Sequence, residues 1–237
     1  MDAKTRARYA ELLRSGRWFG RLPDALQREL LAAAVARTLG DGERLFARGD
    51  PPDGLYAVVD GSLRVAGTAD VKEVLLAIVE PPSWFGEISV FDGAPRTHDA
   101  IAQTAATVLH IPQRALDRIL AAEPTYWRDL GLLLTTKIRL MFTAMEDATA
   151  MPLGTRLARR LLVTAAGHGE LRDGSKRVVA VRQEQLATML GTSRQTLNAL
   201  LKSCEAKGLL RVAYGQIEIL DFDGLAELAG VDASAIP

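Results

Sequence analysis

The sequence is poor in the residues that build redox centres and metal sites. Among its 237 residues there is one cysteine, Cys204. A single cysteine excludes an internal disulfide and a cysteine-ligated iron–sulfur cluster within one chain. It lies in LLKSCEAKGLL, where a helix turns it inward, and so reads as a small buried hydrophobe. The three histidines, His98, His110 and His168, are scattered without metal-ligand spacing, and His98 and His110 are weak haem-ligand candidates. No apolar run approaches the length of a membrane span. The N-terminal MDAKTRARYAELLRSGRW lacks the uninterrupted apolar core of a secretory signal, so a cytoplasmic protein is expected. Net charge is absent too, with 29 Lys/Arg against 29 Asp/Glu, and the chain as a whole does not advertise a polyanionic partner. No nucleophile–base constellation, metal-ligand spacing or nucleotidase-type phosphate loop stands out, so an enzyme is not expected.

What is there is unevenly distributed. Between Pro152 and Arg211 there are 11 Lys/Arg and 4 Asp/Glu. A basic segment inside a neutral chain suits a module that binds the phosphates of DNA. Upstream, ARYAELLRSGRWF and DALQRELLAAAVART read as short helices, the second starting at Pro23–Asp24. From about Gly42 to Ile111, RLFARG, GLYAVVDG, SLRVAG, EVLLAIV and TVLHIP are short runs bounded by Gly, Pro and Asp. Their spacing predicts an antiparallel barrel or sandwich. A helical period resumes at Pro112, and the longest helix is predicted from Pro124 to about Ala150. Along it Leu130, Leu134, Ile138, Met141, Met145 and Ala148 recur at steps of four or three, the seam of a two-stranded coiled coil. Met151–Pro152 breaks that helix. A further helix (Leu153 to Ala166), a loop with Gly167, Gly169 and Gly174, a strand (Arg177 to Val181), two short helices and a hairpin at Tyr214–Gly215 follow.

The segment RQEQLATMLGTSRQTLNALLKSCEAKGLL meets the requirements of a helix-turn-helix. Gln183 to Leu190 forms the first helix, with Leu186, Ala187 and Leu190 inward. Gly191 takes the turn, where a left-handed conformation is needed. Thr192 or Ser193 caps the second helix, which Leu197, Leu200 and Leu201 hold down. Ser193, Arg194, Gln195, Asn198 and Lys202 are left on one exposed face. Arg presents a bidentate pair to guanine, and Gln or Asn does so to adenine. Lys202, further along, suits phosphate. In the hairpin RVAYGQIEIL, Arg211 and Gln216 either touch phosphates or form ordinary wing surface.

The stretches GERLFARGDPPDGLYAVVDGSLRV and WFGEISVFDGAPRTHDAIA, taken with this C-terminal segment, resemble the cyclic-AMP receptor protein and fumarate–nitrate regulator (Crp/Fnr) superfamily over nearly the whole chain. The resemblance implies an α+β architecture: an N-terminal cyclic-nucleotide-binding-type β-roll (1–123), a long dimerisation helix (124–151) and a C-terminal winged helix-turn-helix (152–237). It implies a homodimer, a double-stranded DNA operator and RNA polymerase as partners. Carried onto FGEISVFDGAPRT, it makes Gly86 and Ile88 backbone contacts, Glu87 a ribose acceptor, Arg96 a partner for a cyclic phosphate and Thr97 a hydroxyl donor. A buried Glu–Arg pair that merely closes the turn is the alternative.

Departures from the family pattern bear on the effector. Met141 and Phe142 stand where the family's cyclic-AMP-binding members use Thr and Ser to contact adenine, and Thr135, Thr136 and Thr143 are nearby substitutes. Lys137 aligns with an Arg that approaches the pocket glutamate, so a Glu87–Lys137 contact is expected. His98 and Asp99 follow Thr97, where relatives carry small or apolar residues. On the DNA helix, Arg194, Gln195 and Ala199 replace an Arg-Glu pair and a later Arg, which implies a different operator. Three readings remain open: a regulator gated by cyclic AMP or cyclic GMP, one that answers to cyclic di-GMP or to no ligand, and a nucleotide-binding regulatory subunit of a channel or kinase.

Overall fold

The computed structural model describes residues 2–69, 72–167 and 178–231. Two helices open the chain, α1 (Ala3–Arg14) and α2 (Asp24–Ala33). Asp2 caps α1 by accepting from Thr5 N at 2.7 Å, and Pro23 precedes the first turn of α2, where its missing N–H costs nothing. The strands β1 (Val35–Leu39), β2 (Arg44–Phe46), β3 (Gly54–Asp60), β4 (Leu63–Ala69), β5 (Lys72–Val79) and β6 (Trp84–Phe85) follow, then the short helix α3 (Glu87–Asp92), β7 (Asp99–Ala102) and β8 (Ala106–Pro112). Helices α4 (Gln113–Ala122) and α5 (Tyr126–Ala150) come next, the latter with 25 residues.

The strands form two antiparallel sheets, in the orders β1-β8-β3-β6 and β2-β7-β4-β5. Strand β3 shows why they stack. Its side chains alternate between faces, yet all but Asp60 are buried. Leu55, Ala57 and Val59 enter a core shared with Leu13, Phe19, Leu26, Leu30 and Trp84. Tyr56 and Val58 face a second core with Leu45, Leu63, Ala100 and Val108. The N-terminal helices thus cover one face of a sheet whose other face packs between the sheets. Trp18 secures this layer: its ring meets Trp84 edge-on at 5.2 Å, and its Nε1 donates to the Asp129 carbonyl at 2.7 Å.

The structure corrects the sequence reading at three places. The helical run DALQRELLAAAVART stops at Ala33, and Val35–Leu39 pairs with β8 as an edge strand. There β-branched Val35 and Thr38 suit the pleat, and sheet pairing outweighs local helical propensity. The short strands β6 and β7 carry too few residues for an alternating pattern to show. Leu130 does not join an outward seam, because it is fully buried in the chain's own core with Leu133.

The division between two compact units, Met1–Ile138 and Arg139–Pro237, falls within α5. In the second unit, Pro152 ends the long helix and α6 (Leu153–Ala165) begins. Strand β9 (Val178–Val179), α7 (Gln183–Met189), α8 (Arg194–Ala206), the hairpin β10 (Leu210–Ala213) and β11 (Gln216–Ile219), and α9 (Phe222–Ala229) complete it. The order of its sheet is β10-β11-β9. His168, Gly169, Gly174 and Arg177 lie outside the described residues. Among the described residues no helix is long and apolar enough to cross a membrane.

Candidate DNA interface and effector pocket

The helix-turn-helix is built as its residue types require. Leu186, Ala187 and Leu190 are buried at the α7 side, and Leu197, Leu201 and Cys204 at the α8 side. Leu200 is only half-buried. Gly191 takes the turn at φ +62°, in the left-handed region that a side chain disfavours. Ser193 caps α8: its Oγ accepts from Thr196 N at 3.1 Å and sits 2.9 Å from Thr196 Oγ1. Arg156 on α6 donates to the Leu190 carbonyl at 2.7 Å, satisfying an end of α7 that would otherwise go unpaired.

This leaves Arg194, Gln195 and Lys202 exposed on α8, with Asn198 and Thr192 half-exposed. Arg194, Asn198 and Lys202 succeed one another at four-residue steps and share a face. The Ser193 hydroxyl is occupied by its capping role. Thr196 is exposed beside it; the sequence reading passed over it, although its place on the first turn was a usable signal. On the wing, Arg211 faces Glu218 across the hairpin at 3.0 Å, whereas Gln216 is exposed.

Elsewhere in the second unit one arginine links the ends of two helices to α6. Arg159 on α6 pairs with Asp147 near the end of α5, and its Nε donates to the Ala229 carbonyl at 2.7 Å. Asp147 is buried. Sequence patterning missed it because an aspartate on a long helix ordinarily belongs to the solvated face.

The other candidate site surrounds α3. Gly86 stands at its N-terminus with φ +96°, and a Cβ there would lie 2.8 Å from Arg96 Nη1, so the position is bound to glycine by backbone and by space. Arg96 is only 3% exposed. Its Nη1 donates to the Gly86 carbonyl at 2.9 Å, and its Nη2 donates to the Gly54 carbonyl at 2.7 Å and to Asp53 Oδ1 at 2.5 Å. The guanidinium also lies over the Phe46 ring, 4.5 Å from its centre. Buried Arg96 Nε has no hydrogen-bond partner.

Glu87 is buried as well, and Lys137 of α5 reaches it: Nζ is 2.8 Å from Glu87 Oε2 and 2.8 Å from the Trp84 carbonyl. The expected Glu87–Lys137 contact is therefore present. The alternative Glu–Arg closing pair is not, because each buried charge has found another partner. Phe91, at the far end of α3, packs its ring 5.3 Å from that of Trp127. Helix α3 is thus fastened to α5 at both ends.

The remaining predicted pocket residues are placed differently. Ile88 and Thr97 are exposed, and Thr97 Oγ1 is 2.9 Å from His98 Nδ1. Burial, and then the charge of Arg48, hold the His98 imidazole below its ordinary pKa. Asp99 accepts from Arg48 N at 2.7 Å. The hydroxyls of Thr135 and Thr136 bond back to the Leu132 carbonyl at 3.1 and 2.9 Å, and that of Thr143 to Arg139 at 3.1 Å. Met141 and Phe142 belong to the second compact unit and are more than half exposed.

Asp53, which the sequence offers only as a turn residue, is the hub of this region. Besides Arg96, it accepts from the Tyr56 hydroxyl, and the Asp53 carbonyl lies 2.9 Å from His110 Nε2. Tyr56 stacks on His110 at 4.5 Å and receives Arg37 Nη1 at 3.2 Å. Burial raises the Asp53 carboxyl, but hydrogen bonds from Tyr56 and Arg96 outweigh it and hold the pKa below its ordinary value. Burial, with Asp53 beside it, keeps the Tyr56 phenol protonated. Asp53 lies in the turn motif Asp53–Gly54, where Asp is common for purely local reasons, so nothing in the sequence marked it.

Residues 36–123 match the cyclic nucleotide-binding domain, and residues 155–228 match the Crp-like helix-turn-helix domain. The chain is 32% identical over 190 residues to a CRP-like cAMP-activated global transcriptional regulator of Mycobacterium tuberculosis, covering 79% of this chain and 85% of that one. The chain belongs to the Crp/Fnr superfamily. It is a DNA-binding transcription regulator with a cyclic-nucleotide-binding-type domain, not an enzyme. A cyclic AMP receptor protein of Thermus thermophilus is 27% identical, covering 81% of this chain and 87% of the relative. Among solved structures, FixK2 from Bradyrhizobium japonicum has the same fold, with TM-score 0.71 and 18% identity, covering 82% and 96% of the two chains.

Proposed function

We propose that the chain acts in the cytoplasm as a homodimeric regulator whose β-roll, residues 1–123, answers to a small effector. In this reading residues 124–151 form the dimer helix and residues 152–237 read the operator. The observation that carries it is the exposed face of α8, with Arg194, Gln195 and Lys202 presented from a helix capped at Ser193. Arg194 and Gln195, on the first turn, reach base edges together with Asn198, and Thr192, Ser193 and Lys202 approach phosphates. Two such helices, one per protomer, fit successive major grooves of a near-palindromic site, from which the regulator engages RNA polymerase.

The dimer is supported by α5. With Leu130 committed to the core, the outward seam runs through Trp127, Gly131, Leu134, Ile138, Met141, Met145 and Ala148, alternating steps of four and three. The chain itself buries none of these residues. A strict seven-residue repeat of this kind is what a second parallel helix requires.

For the effector, a cyclic nucleotide would meet Gly86, Glu87 and Ile88 at α3, Arg96 and Thr97 beyond it, and Thr136 and Lys137 on α5. The donor set fits in part. Arg96 is a buried cation whose Nε has no partner of its own, and Gly86 lets the backbone approach it closely. The Asp53 carboxylate on the same guanidinium does not suit an anion. Met141 and Phe142 supply no adenine-specific hydrogen bonds. These two features favour a β-roll that does not take cyclic AMP in the manner of the cyclic-AMP-activated relatives, and cyclic GMP and cyclic di-GMP belong in the same comparison. The test is selection of an operator from random duplexes by the full chain, then titration of that operator with and without cyclic AMP, cyclic GMP and cyclic di-GMP. An effector acts only through different affinities for the two states, so a true effector shifts the operator Kd.

A further inference from the structure

Arg96 is a charge that the fold has taken out of water. At 3% exposure it needs a counter-charge, since an unpaired buried cation is strongly disfavoured. Asp53 supplies it at 2.5 Å, and the Asp53 side chain is itself 42% exposed. The carboxylate therefore approaches from the solvent side, while the inner side of the guanidinium is taken by the Gly54 and Gly86 carbonyls and by the Phe46 ring. An anion arriving from solvent meets Asp53 before it meets Arg96.

Asp53 is also held in place. Its other oxygen accepts from Tyr56, a fully buried side chain fixed between His110 and Phe85. A carboxylate restrained by a rigid donor is a stronger competitor than one on a free side chain, because less freedom is lost when it pairs. No other carboxylate touches Arg96 among the described contacts. Glu87, the neighbouring acid on α3, is spent on Lys137.

We propose that Asp53 is an internal anion that occupies Arg96 and sets ligand specificity in the β-roll: a cyclic phosphate binds there only by displacing it. This rests on the reading of the β-roll as the effector module, but not on any effect upon DNA. Neutral ligands are unaffected by the competition, whereas singly charged cyclic mononucleotides oppose the Asp53 charge. Substituting Asp53 removes the competitor and leaves Arg96 seeking an anion.

The test is calorimetry of the full chain with cyclic AMP in the absence of DNA, comparing wild type, Asp53→Asn and the double variant Asp53→Asn/Arg96→Gln. Asp53→Asn keeps the side chain's shape and its acceptor for Tyr56 while removing the charge. A charge-assisted hydrogen bond released to the ligand corresponds to roughly tenfold to a hundredfold tighter binding. That gain is expected in Asp53→Asn and is expected to vanish in the double variant. Should Asp53→Asn fold poorly, inorganic phosphate is expected to restore its thermal transition, with no comparable effect on wild type. Unchanged or weaker cyclic AMP binding in a folded Asp53→Asn overturns the proposal, as does a misfolded variant that phosphate does not rescue. Since no operator enters the measurement, failure here is separate from failure of the DNA-binding reading.

Discussion

Lys137 on α5 holds Glu87 of α3 at 2.8 Å and, with the same ammonium, the Trp84 carbonyl at 2.8 Å. One side chain thus ties the candidate pocket to the helix that carries the proposed dimer seam. Glu87 is almost wholly buried and Lys137 is partly exposed, so the two partners are not equivalent. Lys137→Ala strands a buried carboxylate and is expected to cost about 3 kcal/mol, as for a broken buried pair. Glu87→Gln keeps an acceptor for Lys137, and its ammonium retains solvent, so a loss of only about 1 kcal/mol is expected. Urea unfolding followed by tryptophan fluorescence checks both values, since Trp84 lies at the contact.

Asp53 gives a pH signature with a definite sign. Its folded-state pKa is depressed, by hydrogen bonds from Tyr56 and Arg96 that outweigh burial. It therefore contributes stability that is fully present above the ordinary carboxylate value, about 3.9, and that is lost as pH falls through the lower folded-state value. Wild type is expected to lose urea resistance, as pH falls below about 4, more steeply than Asp53→Asn. The paired denaturation series is the measurement; parallel pH profiles would contradict the assignment.

Substitutions on α8 separate base reading from phosphate binding. Arg194→Ala is expected to weaken the selected operator by about 1–3 kcal/mol and to relax preference at one base pair in each half-site. Lys202→Ala is expected to weaken all sequences alike and to lower the log–log salt slope by about one per protomer. Anisotropy titrations at several salt concentrations distinguish the two.

Along α5, Ile138 sits at the middle of the proposed seam. Ile138→Asp places an unpaired charge in each copy of the interface and is expected to raise the dimer Kd by about a hundredfold or more. Trp127→Ala, at one end and packed on Phe91, is expected to do less. Sedimentation velocity over a concentration series reads both effects.

The layout was legible in the sequence where the signal was local and repeated. The Gly, Pro and Asp residues that bound the short runs bracketed β3, and Gly191 and Ser193 placed the turn and cap of the helix-turn-helix within a residue. Legibility failed where a partner distant in sequence decided the outcome. Val35–Leu39 is helical by neighbourhood but a strand by pairing with β8. Leu130 fits the seam's period but is drawn into the core beside Tyr126 and Leu133. In the pocket, the Glu87–Lys137 contact was expected from the family alignment. The Asp53–Arg96 pair was not, because its partners are 43 residues apart and an aspartate before glycine is an ordinary turn residue. Asp147 escaped for the same reason, its buried partner Arg159 lying beyond the helix break at Pro152.

The most direct measurement is the affinity of the purified full chain for its best selected duplex, set against a scrambled duplex of equal length at physiological salt. A sequence-specific regulator is expected to prefer a near-palindromic site by about a thousandfold or more, with half-sites about 10 base pairs apart, and to lose part of that preference in Arg194→Ala. Equal affinity for the two duplexes, or a preference that Arg194→Ala leaves intact, contradicts operator reading by α8.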